Sequence, residues 1–243
     1  MFKVLERMKR ILIAVVALLV VNSAFSQVKV GVKAGANLSS LSGVEMSAFG
    51  ISLDMFESDG MSLGFHGGVF ANISFGGYLG LQPELLFSMQ GGEQKLGKEL
   101  LEEMGIPFGN IKLSYRFNYI NLPILLEIKP VPLVDLGLLV GPQFGLNIYK
   151  SETAMGITTS GSEFDNGLKE LFGKNPFNSL DVGLVFGLQY TFIDHLNVGL
   201  RYNLGLTNSI SSTYENGLFP TTYKVDVTGW KNSVFQLSVG WFF

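Results

Sequence analysis

Cysteine is absent from all 243 residues. No disulfide can staple the fold, no thiolate can serve as nucleophile or soft metal ligand, and no cysteine follows the N-terminal apolar run to carry a lipid anchor. Histidine is nearly as scarce: His66 and His195 stand far apart, which argues against a histidine metal centre. Charge is thin, with Asp, Glu, Lys and Arg at 15% of the chain against about 25% in soluble domains. The Gly91-Gly92 pair lacks the Lys and Ser/Thr of a phosphate loop and reads as a loop hinge. Past the first 26 residues, glycine or a polar residue interrupts every apolar run before it could become a spanning helix. Any membrane crossing must then be made by strands. No catalytic residue, metal or cofactor is predicted.

The N-terminal segment reads as a signal. Lys3, Arg7, Lys9 and Arg10 precede an uncharged run from Ile11 to Val21, and Ala24-Phe25-Ser26 places small residues before a cut. A signal peptide over 1–26 is expected, cleaved before Gln27. A retained anchor is disfavoured, because so short a run rises only ~16 Å as a helix, against a hydrocarbon core of ~30 Å. Setting aside these four basic residues and Glu6 leaves 13 Lys plus Arg against 19 Asp plus Glu, a net charge of −6. Nucleic acid is therefore not an expected partner. No linker or composition shift divides 27–243, which reads as one domain.

What fills that domain is alternation with a period of two. Val28, Val30, Val32, Ala34, Ala36 and Leu38 oppose Lys29, Gly31, Lys33, Gly35 and Asn37. Further stretches follow around Leu63–Phe75, Leu79–Met89, Ile111–Ile128, Val134–Ile148, Val182–Phe192, Leu196–Leu206 and Phe235–Phe243. Phe70 and Leu86 are apolar intruders on the polar parity. In the fourth stretch the apolar phase switches between Tyr119 and Leu122, which predicts a bulge near Ile120. Stretches of about ten residues or more cross an apolar band about 25 Å tall at a ~40° tilt. Gly76-Gly77, 129–132 and 193–195 are tight connections, whereas 39–62, 91–110, 150–180 and 208–230 are long. The expectation is an all-β fold: an eight-stranded antiparallel up-and-down transmembrane barrel with short periplasmic turns and long extracellular loops.

Phe75, Tyr78, Phe192 and Trp241 below and Tyr115, Tyr149 and Trp230 above form the expected aromatic girdles. Trp241 and Phe243 are read as the barrel-assembly signal. Pro83, Pro123 and Pro142 fall within strands, where the missing N–H breaks a ladder bond, so bulges or rims are expected there. A soluble lipocalin-like barrel would turn the apolar row inward. The membrane reading instead sets Leu138, Leu188 and Val239 against lipid.

The segments Gly31-Val-Lys-Ala-Gly-Ala-Asn37, Gln82-Pro-Glu-Leu-Leu86, Tyr119-Ile-Asn-Leu-Pro123, Gly141-Pro142 and Arg201-Tyr202 together resemble the Bacteroidota outer-membrane β-barrel family, the PorT-like small porin-family proteins. The resemblance covers the mature chain and implies an eight-stranded outer-membrane barrel, with some relatives linked to secretion. The family often carries Glu where this chain has Asn121.

The inward parity collects Lys33, His66, Gln82, Glu84, Arg116, Glu127, Asp135, Gln143, Gln189 and Arg201, with Asn118 and Asn121. Side chains nearly fill so narrow a barrel, and an isolated buried charge is too costly to keep. Arg116 and Arg201 are expected to pair with Glu84, Glu127 and Asp135 as a closed plug. A solute-conducting lumen is the alternative. A hydrolytic set of His66, Ser62 and Glu84 is a lesser one, since Ser and Glu are common in such strands. Leu96, Leu100, Leu101 and Met104 recur at helical spacing, as do Leu168, Leu171 and Phe172, suggesting short helices that pack on neighbouring loops or lean on lipopolysaccharide. Outer-membrane lipid, lipopolysaccharide, the barrel-assembly machinery and envelope or secretion proteins are the expected partners of a monomer.

Overall fold

The computed structural model describes residues 28–42, 44–48, 51–96, 112–131, 134–154, 157–160, 179–208, 210–216, 223–229 and 231–243. Twelve strands run in order: β1 Val28–Leu41, β2 Val44–Ala48, β3 Ile51–Phe75, β4 Leu79–Leu96, β5 Lys112–Ile128, β6 Leu136–Ala154, β7 Ile157–Ser160, β8 Leu180–Phe192, β9 Leu196–Gly205, β10 Ile210–Asn216, β11 Tyr223–Gly229 and β12 Asn232–Phe242. Eight of them close on themselves: β1, β12, β9, β8, β6, β5, β4 and β3 pair in that sequence, and β3 pairs back to β1. All these pairings are antiparallel. Closure leaves no edge strand within the ring.

The alternation decides which way the faces turn. Leu138, Leu188 and Val239 are 40%, 48% and 52% exposed on the outside, whereas Lys33, Glu84 and Arg201 are 4%, 2% and 3% exposed within. A lipocalin-like interior is overturned by this inversion. No described helix is long and apolar enough to cross a membrane; the strands do it.

Within the regions expected as long loops, the described residues are largely strand. The outer ends of β3, β4, β5 and β6 run on past the ring, joined there by β2, β7, β10 and β11. Alternation fades where lipid no longer touches one face, but backbone pairing continues, so the pattern under-reported strand length. Residues 97–111 and 161–178, where helical spacing suggested short helices, lie outside the described residues, as does Trp230.

β5 holds one phase throughout: Tyr115, Phe117, Tyr119, Asn121 and Leu125 all point inward and are buried. The expected bulge near Ile120 is instead a register shift in the partner, where Asn118 faces Tyr149 and Tyr119 faces Asn147. The apparent phase switch came from aromatics that fill the lumen towards its outer end. Tyr115 is thereby removed from the outer girdle, while Tyr149 stays exposed.

The prolines are at neither bulges nor rims. On the β4–β5 ladder Pro83 faces Ile124, and pairing resumes in the same register at Leu86 opposite Asn121. On β5–β6, Pro123 faces Gln143 and pairing resumes at Leu126 opposite Val140, spanning Pro142. The three adjacent strands each absorb a gap without slipping, because both flanking segments of the ladder hold the register.

Two turns at one end require left-handed backbone. Gly76 and Gly77, at φ of 66° and 84°, adopt it freely. Ile193 and Asp194, at φ of 48° and 62°, do not have that freedom, and a β-branched residue there is strained. Ile193 is 91% exposed and gains nothing by burial. Ile193→Asn is expected to stabilise the barrel by about 1 kcal/mol, measured as a higher urea midpoint in lipid vesicles; a lower midpoint would refute the strain.

Candidate functional site: the barrel interior

Opposite strands of an eight-membered ring are four places apart, and β4 and β9 satisfy this. From β9, Arg201 spans the lumen and donates through Nη1 to Glu84 Oε2 and through Nη2 to Glu84 Oε1, both at 2.7 Å. From β1, Lys33 Nζ donates to the same Oε1 at 2.8 Å and lies 4.4 Å from the centre of the Phe70 ring. Gln82 Nε2 adds a further bond to Glu84 Oε1 at 2.6 Å. One carboxylate therefore gathers two cations, with a two-pronged guanidinium contact that fixes its orientation.

A second tier lies towards the short turns. Glu127 accepts from Asn72 Nδ2 at 2.6 Å and from Gln189 Nε2 at 2.7 Å, and Gln189 also donates to Gln82 at 2.9 Å, linking the tiers. A third lies outward. Asn37 Nδ2 donates to Ser88 Oγ at 3.0 Å and to the Met89 carbonyl at 2.8 Å, while its Oδ1 accepts from Gln236 at 3.1 Å and stands 2.7 Å from His66 Nδ1. Gln90 bonds Ser88, and Asn232 bonds Gln90.

Phe70 and Leu86, the intruders on the polar parity, are buried at 2% and 1%. Phe70 packs on Phe242 with ring centres 4.7 Å apart. The ring occupies space that Gly31 and Gly240 leave open: a Cβ on either would meet it at 2.8 and 3.1 Å.

Of the residues predicted for the lumen, Lys33, His66, Gln82, Glu84, Glu127, Gln143, Gln189 and Arg201 are buried inside the ring. Arg116 is not: β5 keeps its phase, so Arg116 faces outward and is exposed. Asp135 sits just before β6, at the rim, where Lys129 Nζ approaches it at 3.2 Å. Its strand begins one residue later, too late to carry it into the core. Glu127 pairs with amides rather than with an arginine. His66 Nδ1 stands against Asn37 Oδ1, Ser62 offers its carbonyl to Ser39, and Glu84 accepts from Lys33 and Arg201, so among the described residues no hydrogen bond joins His66, Ser62 and Glu84. His195 belongs to the turn after β8, where its ring stacks on Trp241.

Sequence reasoning passed over Asn37, Asn72, Gln90, Asn232 and Gln236, which build the outer and lower tiers. Parity alone marked most of them.

A barrel with a hydrogen-bonded polar core and an apolar exterior fits the family whose model, described as an outer membrane protein beta-barrel domain, matches residues 22–211. The chain belongs to that family. It is a bacterial outer-membrane protein, and the end with short turns is the periplasmic end. Among solved structures the chain is similar to Ail of Yersinia pestis, at 13% identity over 89% of this chain and 99% of that one, with a TM-score of 0.39. OprG of Pseudomonas aeruginosa is similar at 12% identity over 88% and 95%, with a TM-score of 0.44. The outer membrane protease OmpT of Escherichia coli is similar at 10% identity over 88% and 97%, with a TM-score of 0.40. No curated protein matches the sequence.

Proposed function

We propose that this protein is a non-enzymatic, PorT-like barrel of the Bacteroidota type that works through its extracellular side while its lumen stays shut. The observation that carries this is the Arg201–Glu84 contact across the full width of the ring, doubled by Lys33 and flanked by two further tiers of amides. Passing a solute would mean separating buried charges, which costs several kcal/mol each unless water replaces the lost partners. Beyond the ring, the prolonged strands provide a surface for envelope or secretion partners. Outer-membrane lipid and lipopolysaccharide would contact the apolar wall. Trp241 and Phe243, 50% and 77% exposed at the last strand, would be read by the barrel-assembly machinery, and the signal peptide over 1–26 would deliver the chain to it.

A passive small-solute porin or a secretion conduit makes the opposite electrical prediction. In planar bilayers the unmutated protein is expected to show no steady open-channel current, whereas Arg201→Ala, which deletes the bridge, opens brief conducting events. Steady currents from the unmutated protein would defeat the closed-lumen reading and favour the porin. Crosslinking in cells through outer-strand positions then identifies the partner.

A further inference from the structure

Two cations stand at the top of the lipid-facing wall, on opposite sides of the ring. Upward from the periplasmic end, the outward positions of β5 are Ile128, Leu126, Ile124, Leu122 and Ile120, then Asn118 and Arg116. Along β12 and the residues that flank it they are Phe243, Trp241, Val239, Leu237 and Phe235, then Ser233 and Lys231. Both walls repeat one order: five apolar residues, one polar residue, one exposed cation. β5 and β12 are four places apart in the eight-membered ring.

The height of these cations follows from strand geometry. At a rise of ~3.4 Å and a ~40° tilt each residue climbs roughly 2.6 Å, which sets Arg116 and Lys231 about 31 Å above the lowest apolar side chain, past a ~25 Å apolar band. That is the headgroup layer of the outer leaflet. Tyr149, opposite Asn118 on β6 and 43% exposed, marks the same level, as interfacial aromatics do. Lys231 is held there by its backbone, whose N–H donates to Ser42 Oγ at 2.8 Å and whose carbonyl accepts from the Ser42 N–H at 3.1 Å.

The protein supplies neither cation with an anion. Among the described residues, Arg116 and Lys231 enter no ion pair. The periplasmic rim differs, because Lys29 pairs with Asp194 at 3.6 Å and Lys129 with Asp135 at 3.2 Å. Glu93, on the strand beside Arg116, faces Ser114 instead and turns its Oε2 over Gly60 of β3, away from β5. An unpaired cation at headgroup height, directly above a wall that lipid already covers, meets phosphate.

We propose that Arg116 and Lys231 each hold the phosphate of an outer-leaflet glycolipid of the lipid A class, whose acyl chains lie against the apolar row below. This deepens the lipid contact proposed above and does not depend on a closed lumen. Arg116 offers phosphate oxygens two parallel N–H donors, and Lys231 offers a compact point charge.

The test is native mass spectrometry of the full protein in detergent, titrated with bisphosphorylated lipid A and with dephosphorylated lipid A of the same acyl chains. The phosphorylated form is expected to bind at least about tenfold more tightly. Two molecules of it should be retained where the dephosphorylated lipid is lost, with one retained in each of Arg116→Gln and Lys231→Gln and none in the double variant. Lys129→Gln, at the periplasmic rim, should retain both. Inorganic phosphate at the same concentration should displace nothing, since it has no acyl chains to bury. Equal retention of the two lipids, an undiminished double variant, the same loss from Lys129→Gln, or displacement by inorganic phosphate would each overturn the proposal. A folded barrel without phosphate preference would leave the closed-lumen reading standing, because bilayer currents test that separately. Heat-dependent gel mobility reports whether each variant is folded. Should the double variant not fold, the two single variants decide the matter.

Discussion

Glu84→Ala is expected to destabilise the barrel by about 3–5 kcal/mol, because it strands two buried cations at once. Lys33 and Arg201 are 4% and 3% exposed, and each directs its charge at that one carboxylate. Without it they repel one another in a space that admits little water. Removing all three charges together has a different consequence. A Lys33→Met, Glu84→Leu, Arg201→Met triple variant leaves no orphaned charge and should lie within about 2 kcal/mol of the parent, since apolar groups of similar volume often replace a buried ionic cluster at little cost. Urea unfolding in lipid vesicles measures both variants. A single Glu84→Ala variant as stable as the parent would mean that water reaches these cations and that the lumen is wet. The contrast between single and triple variants separates charge orphaning from lost volume, which a lone alanine variant cannot do.

The ring and its inside-out arrangement were legible in the sequence because lipid enforces strict alternation. Leu196, Val198, Leu200, Tyr202, Leu204 and Leu206 cannot change parity without setting polar groups in hydrocarbon, so the eight crossing strands announced themselves. The extensions of β3 and β6 were not legible, since beyond the membrane neither face must be apolar and hydrogen bonding alone keeps the strand going. The interior was legible by parity but not by partner. Glu84 and Arg201 are 117 residues apart, and only the closed ring order sets β4 opposite β9. Arg116 misled for a simple reason: Tyr115, Phe117 and Tyr119 look lipid-facing, yet they fill the lumen, and their large rings leave the arginine outside. The prolines misled because a broken ladder was equated with a bulge, whereas a long register on both sides spans the gap.

Leu200→Arg is expected to cost roughly 2–4 kcal/mol, the penalty for a cation near the middle of a lipid-facing strand. Leu200 is central to the apolar row of β9 and is 54% exposed on the outer wall, paired laterally with Leu188 and Leu237. The next residue in the chain is Arg201, carried at 3% exposure. The two positions have almost the same depth, backbone and neighbours, and differ only in which face of the strand they occupy. An arginine at 201 meets Glu84 at 2.7 Å; an arginine at 200 meets acyl chains and must bend toward the interface to find water. The comparison partner is Asn203→Asp, an inward change on the same strand with no exposure to lipid, where the cost depends on lumen neighbours rather than on the bilayer. Lengthening the acyl chains of the vesicles should then increase the penalty at Leu200, because the route to water grows, and leave the Asn203 variant unmoved. Equal sensitivity of both variants to chain length would mean that the 200 side chain does not face lipid, and the outward assignment of the whole row would fall with it.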